Sequence, residues 1–355
     1  MTKMTAKEFL AKKDVQITVK RYAIDALSSM THGLFASLVI GLIIKTIGEQ
    51  IGIHAGESDF SLFLIKIGAA AMAMIGPAIG VAVAHGLKAP PLVMYANIAV
   101  GWMGNMAWED GGAAGGAAGA LVASIIAAEF GKLVSKETKV DIIVTPFVTI
   151  FVGGLVARFF GPLVGALMTG LGQVVMNATE LQPFWMGIVV SLIVGLVLTS
   201  PLSSAALCIM LDLSGLAAGA ATAGCCAQMV GFAVISIRAN GISGLLSIGL
   251  GSSMLQMPNI VKNPWILVPA TLAAIILGPV STLGFHMTNI PAGAGMGTSG
   301  FVGQIGTFTS MGFSFDTLWK VLVLHIGLPA VISYVCYAFM KKAGRIKDAD
   351  FKLDL

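Results

Sequence analysis

DIIVTPFVTIFVGGLVARFFGPLVGALMTGLGQVVMNATELQPFWMGIVVSLIVGLVLTS, residues 141–200, holds three formal charges: Asp141, Arg158 and Glu180. Carried on to Met340, the total reaches only eight, with Asp212, Arg238, Lys262, Asp316 and Lys320. A stretch so poor in charge cannot keep a soluble surface wetted. Its backbone polar groups have to be satisfied inside helices or against other protein, as in a bilayer. The 355 residues are 56% hydrophobic and 11% charged, with a mean hydropathy of +0.90, against roughly 25% charged in a soluble domain. At ~20 apolar residues and a turn per span, the length allows roughly ten spans. The expectation is an all-α, polytopic membrane helix bundle of about ten spans, with broken or re-entrant helices in the second half.

Charge collects at the two ends. Residues 1–22 form a basic leader with Lys3, Lys7, Lys12, Lys13, Lys20 and Arg21 against Glu8 and Asp14. It lacks the apolar core and small-residue cleavage site of a signal peptide. Thr5 and Glu8, three residues apart, predict a capping box and a short interfacial helix. Residues 23–340 form the membrane domain, and 341–355 a second basic segment with Lys341, Lys342, Arg345, Lys347 and Lys352. By the positive-inside rule both termini are cytoplasmic, and the span number is even. The net charge of +4 is read as topology and lipid contact, with no nucleic-acid partner. Cys208, Cys225, Cys226 and Cys336 lie in apolar runs without CxxC or metal-ligand spacing, so no metal site, disulfide or cofactor is expected.

Spans are expected over residues 33–48 and, interrupted at Gly76-Pro77, over 62–86. Residues 90–108 are apolar around Asn97 and Asn105, and Glu109-Asp110 precedes the run GGAAGGAAGA, whose small residues allow close helix approach. A hydrophilic cytoplasmic piece with Lys132, Lys136 and Lys139 divides the chain. Beyond it the expected spans are 142–160, 161–177, 184–207 broken at Thr199-Ser200-Pro201, 213–237, 241–256, 265–285 and 318–340. Trp102, Trp108, Trp185, Trp265 and Trp319 fall near span ends as interface anchors.

Polar residues inside apolar sequence mark the candidate site. PAGAGMGTSGFVGQIG, residues 291–306, is too glycine-rich for a lipid-exposed helix and reads as a re-entrant loop lining a cavity, or as a tight packing motif. It follows His286 and Asn289, and Thr298, Ser299 and Gln304 offer hydrogen bonds. Glu180 is a rare carboxylate of the second half, either functional at depth or solvated in the turn before Pro183. The hydroxyls around Pro201 either repair a broken helix or face a solute. Gln228, Arg238, Asn240, Gln256, Asn259, Lys262 and Asn263 suit an uncharged, hydroxyl-rich ligand, although the two cations also suit a loop end. No strand context builds a soluble-type triad, so no catalytic residue is expected.

TSPLSSAAL from Thr199, QMPNIVKNPW from Gln256 and NIPAGAGMGTSGFVGQIG from Asn289 resemble the membrane IIC component of bacterial phosphotransferase systems. More narrowly, they resemble the stand-alone IIC-like branch that includes perfringolysin-regulator type proteins. The resemblance implies a homodimeric plasma-membrane permease whose sugar is phosphorylated by IIB, charged through IIA, HPr and enzyme I. No soluble phosphocarrier domain is appended, so IIA and IIB would be separate chains, and the protein is at most the membrane component of a phosphoenolpyruvate-dependent phosphotransferase. The family's Gly-Ile-Thr-Glu-Pro-like motif is matched only at Thr179-Glu180, without the proline, and His286 is the matching histidine. The expected function is therefore sugar or polar-solute transport, with Glu180, His286, Asn289, Thr298, Ser299 and Gln304 binding the solute. The alternatives are a membrane sensor derived from a permease and an ion-coupled carrier without a phosphorelay.

Overall fold

Helices make up the regular structure of the computed structural model, which describes residues 5–18, 20–56, 58–106, 108 and 114–353. Among these, an isolated antiparallel bridge between Gly215 and Asn289 is the one β-type pairing. Among the described residues, six helical runs are long and apolar enough to cross a membrane, or seven if one bent pair counts as a single span. Reaching the expected ten would require shorter apolar helices to cross as well. The chain packs as two compact units, residues 1–167 and 168–355.

In the first unit, helix α1 (Ala6–Lys12) starts at the expected capping box between Thr5 and Glu8. Helix α2 (Ala26–Leu34) passes through a π-helical turn into α3 (Ile40–Ala55). Helices α4 (Asp59–Ala73) and α5 (Ile75–Gly86) meet at a bend of 47°, and the chain continues as α6 (Pro91–Asn105) and α7 (Gly116–Val134). Small residues set the spacing as expected. A Cβ on Gly101 would collide with the Gly76 carbonyl, and one on Gly119 with the Gly104 carbonyl. Glu109, Asp110 and the first three residues of the glycine–alanine run lie outside the described residues.

Two expectations are corrected here. Residues 142–160 and 161–177 are one helix, α8 (Asp141–Thr179), which runs through Pro146 and Pro162. Each proline removes a single backbone donor, and in an apolar setting breaking the helix would strand many more polar groups. Lys132 lies in the last turn of α7 and is buried, so it is not part of the hydrophilic loop. Its Nζ donates to the carbonyls of Asp14 (2.8 Å) and Leu87 (3.1 Å) and pairs with Glu129 at 2.9 Å. The Arg21 guanidinium donates to the same Leu87 carbonyl at 2.7 Å and to Asp14 Oδ2 at 2.6 Å. Cations at the carbonyl ends of α5 and α7 complement the helix dipoles and hold the leader in place.

The second unit is built around α11 (Gly215–Ile235), in which every residue from 217 to 233 is buried. Helices α9 (Pro183–Thr199) and α10 (Ser204–Met210) precede it. After it come α12 (Ile237–Leu246), kinked at Gly241 with φ +62°, a π-helical turn at Ser247–Gly251, a 3-10 turn at Ser253–Gln256 and α13 (Met257–Lys262). Helix α14 (Val268–Pro279) extends through a π-helical turn to Gly284. The rest comprises α15 (Pro291–Ala294), α16 (Val302–Met311), α17 (Phe315–Val321), a π-helical turn at Leu322–Gly327 and α18 (Leu328–Lys342). Alanine and glycine on α11 let its neighbours approach to backbone contact: Gly224 lies on Ser191 of α9, and Gly219 on Met287.

Candidate functional site

The glycine-rich segment is a hairpin that leaves the Gly215 end of α11 and returns to it. Its limbs are paired from mouth to tip. Thr288 Oγ1 lies 2.7 Å from Ser310 Oγ, Asn289 Nδ2 donates to Thr307 Oγ1 at 3.2 Å, Gly293 packs on Gly306, and Gly303 on Gly297. The tip reaches the middle of α11, where Gly297 (φ +54°) lies against the Cys225 backbone with no room for a side chain. Thr298 donates to the Gly249 carbonyl below it. Phe301, a bulky residue at φ +60°, holds the tip in the left-handed region, which is strained backbone of the kind found at ligand sites.

A second hairpin enters from the same end. Helix α9 begins where the Pro183 carbonyl accepts from Thr282 Oγ1 at 2.8 Å. It runs beside α11 to Thr199, stops at Pro201 as expected, and α10 climbs back toward Gly215. The two hairpins touch where Ser204 Oγ donates to the Gly295 carbonyl at 2.7 Å. Beneath them runs a polar chain that is buried up to the half-buried Thr271. Ser253 Oγ lies 2.9 Å from Thr199 Oγ1, which lies 3.3 Å from Gln228 Oε1, and Gln228 Nε2 donates to Thr271 Oγ1 at 3.1 Å. The Ser200 hydroxyl is spent on helix repair, donating to the Val197 carbonyl at 2.8 Å.

The six sequence-expected residues separate into two groups. Thr298, Ser299, Gln304 and Asn289 are buried in or beside the glycine-rich hairpin. Asn289 is fully engaged: Nδ2 also donates to Thr222 Oγ1 (2.7 Å) and the Gly303 carbonyl (2.9 Å), and Oδ1 accepts from the Ile290 N–H (2.8 Å). It therefore shapes the hairpin. Glu180 and His286 are exposed, Glu180 in the turn before Pro183 and His286 (φ +48°) between Gly284 and the bridge at Asn289. The Thr282–Pro183 bond places their segments at the same end of the unit.

The amides expected to suit a ligand are engaged by the protein itself. Asn240, Gln256, Asn259 and Asn263 clamp the chain's own C-terminal segment, residues 345–353. The Phe351 carbonyl accepts from Asn240 Nδ2 at 2.8 Å and Gln256 Nε2 at 3.0 Å, and the Lys352 carbonyl from Asn259 Nδ2 at 2.8 Å. Asn240 Oδ1 accepts from the Leu353 N–H at 2.8 Å, and Asn263 Nδ2 donates to Asp350 Oδ2 at 2.8 Å. Phe351 and Ile346 are buried, and the Arg345 guanidinium stacks 5.1 Å from the Trp265 ring. Side-chain amides satisfy a peptide backbone as readily as sugar hydroxyls, so the sequence pattern alone does not tell the two apart. Arg238 and Lys262 are exposed. The turn into the strap is tied by Asp348, whose two carboxylate oxygens each accept from Lys341 Nζ at 2.7 Å and which also accepts from the Tyr337 hydroxyl. These bonds, that of Lys341 foremost, hold the Asp348 carboxyl below the usual carboxylate range.

His325 and Cys226 are not among the six residues expected to bind the solute. Gln304 Nε2 lies 3.4 Å from His325 Nδ1 and 3.4 Å from Cys226 Sγ, all three residues being buried. A histidine inside an apolar run carries no local signal of its partner.

Both hairpins, the central helix and the strap fall within one matched region: the family model for the phosphotransferase system EIIC component covers residues 24–353. The chain belongs to the phosphotransferase system EIIC family. Comparison with curated proteins and with solved structures gave no match. Membership makes the chain a membrane component of a phosphotransferase system, in agreement with its apolar helices. In this EIIC chain, the glycine-rich and Pro201 motifs that carry the family resemblance in the sequence are the two hairpins that meet at Ser204 and Gly295.

Proposed function

We propose that this EIIC protein is the permease for a sugar or a similar polar, uncharged solute. It acts in the plasma membrane as a homodimer with cytoplasmic termini, in contact with lipid, and its solute is phosphorylated by separate IIA and IIB proteins. One observation carries the proposal: two broken hairpins from the same end of α11 bring hydroxyls and an amide together halfway along a buried helix. Transporters use this arrangement to present polar groups to a solute at the membrane midplane. Thr298, Ser299 and Gln304 are assigned to solute contact and Asn289 to shaping the loop. Glu180 and His286 are assigned to the approach. No residue of the chain is assigned a phosphoryl-transfer step, which belongs to the partner proteins.

An ion-coupled carrier is the second reading, and Glu129 favours it. This carboxylate is buried in α7 beside Lys132, and ionisable groups within spans commonly serve ion pathways. Uptake of a panel of radiolabelled sugars into vesicles, with and without phosphoenolpyruvate and the cytosolic phosphotransfer proteins, separates these readings. Phosphorylated sugar accumulating only with the relay present is the expected result. Gradient-driven uptake without it supports the carrier, and saturable binding without flux would instead mark a sensor.

A further inference from the structure

Gln304 and His325 face each other inside the second unit with one polar atom left over on each. Gln304 Nε2 lies 3.4 Å from His325 Nδ1, while Gln304 Oε1 and His325 Nε2 have no protein partner. The residues are 5% and 0% exposed. A polar group buried in this way destabilises the fold unless something else engages it.

The identity of that partner follows from counting protons. With the amide as placed, Nε2 donates to an unprotonated His325 Nδ1, which leaves an acceptor on Gln304 and an N–H donor on His325. If the amide is turned over and the imidazole proton moved to Nδ1, Gln304 is left with the donor and His325 with the acceptor. Either way the pair presents one donor and one acceptor. A carboxylate or phosphate would face the acceptor unfavourably, and an ammonium would face the donor. Hydroxyl groups, which give one proton and accept another, match both.

The position agrees with this chemistry. His325 lies in the π-helical turn Leu322–Gly327, near the middle of the apolar run Phe315–Lys342, and π-turns inside helices gather at functional sites. Gln304 lies on the returning limb of the glycine-rich hairpin, level with Cys226 at the centre of α11. We propose that Gln304 and His325 form a hydroxyl-reading pair of the solute site, covered by that hairpin, and that they select neutral polyhydroxylated solutes. This assignment rests on the permease function proposed above.

The test uses the purified full-length protein and a Gln304→Met/His325→Leu variant, melted with and without millimolar glucose, N-acetylglucosamine or mannitol. Without sugar the variant is expected to melt at or above the wild-type temperature, because two unmatched polar groups are gone. A fall of several degrees would make the pair structural and overturn the proposal. With sugar, the wild-type melting temperature is expected to rise and the variant's to stay put, with at least a tenfold weaker affinity. An equal rise in both proteins overturns the pair's role and leaves the permease function standing. If none of the three sugars shifts the wild type, the sugar-binding function itself fails, and this inference with it.

Discussion

Ser204 Oγ donates to the Gly295 carbonyl across 2.7 Å, and a Cβ on Gly295 would collide with the Ser204 carbonyl. This contact joins the two hairpins, so its chemistry and its space can be tested apart. Ser204→Ala removes one buried hydrogen bond and is expected to cost about 0.6 kcal/mol, the average for such bonds between membrane helices. Gly295→Ala forces backbone against backbone and is expected to cost more, about 1–3 kcal/mol. Thermal melting of the two purified variants gives the ranking. A larger effect for Ser204→Ala would contradict the close approach.

The C-terminal strap should be part of the fold and not a loose tail. Phe351 is fully buried and its carbonyl takes two amide donors. Phe351→Ala is expected to destabilise the protein by about 3 kcal/mol, the low end for an aromatic deleted from a core. It should also make Arg345 and Lys347 accessible to trypsin. Unchanged melting and unchanged cleavage would show that the strap contributes nothing.

The strap's anchor titrates. Hydrogen bonds from Lys341 and Tyr337 hold the Asp348 carboxyl below its ordinary value. A carboxyl depressed in the folded state stabilises that state above its unfolded pKa, roughly 4, and this contribution is lost as pH falls through the folded value. Trypsin-independent probes are needed at low pH, and cleavage by pepsin near residue 351 serves. Wild-type cleavage is expected to rise as pH falls below the ordinary carboxylate range, where the unfolded chain takes up the proton first. Asp348→Asn should cleave readily at higher pH and show a weaker pH dependence. Identical profiles for the two proteins would remove Asp348 as the anchor.

In the first unit, Lys132 is 2% exposed and serves Glu129, Asp14 and Leu87 together. Lys132→Met removes the cation paired with the buried Glu129 and is expected to cost about 3–5 kcal/mol. Adding Glu129→Gln should recover part of that loss. Melting of the single and double variants checks the coupling, and simple additivity would mean that the pair does not interact.

Much of this architecture is visible in the sequence because membrane physics writes it there. Charge-poor runs give the helices, Pro201 gives one break, and the glycines of residues 291–306 give the other. The small residues around Gly104 and Gly119 predict close helix approach. Long-range pairings are not visible. Asn240, Gln256, Asn259 and Asn263 look like ligand donors until the distant strap is seen lying on them, although Phe351 and Leu353 among charges hint that the tail is held. Pro162 looks like a break because a single missing donor cannot be weighed locally against the apolar environment. His325 shows no partner until the hairpin folds Gln304 against it.

The most direct test compares phosphoenolpyruvate-dependent accumulation of radiolabelled sugar phosphate in vesicles holding the wild-type protein or Ser299→Ala, both with the cytosolic relay supplied. Ser299 is buried at the tip of the glycine-rich hairpin. With equal amounts of folded protein in the two preparations, wild type should accumulate a sugar phosphate and the variant at least tenfold less. Equal accumulation would contradict a solute site at the hairpin tips, and no accumulation by the wild type would contradict phosphotransferase transport itself.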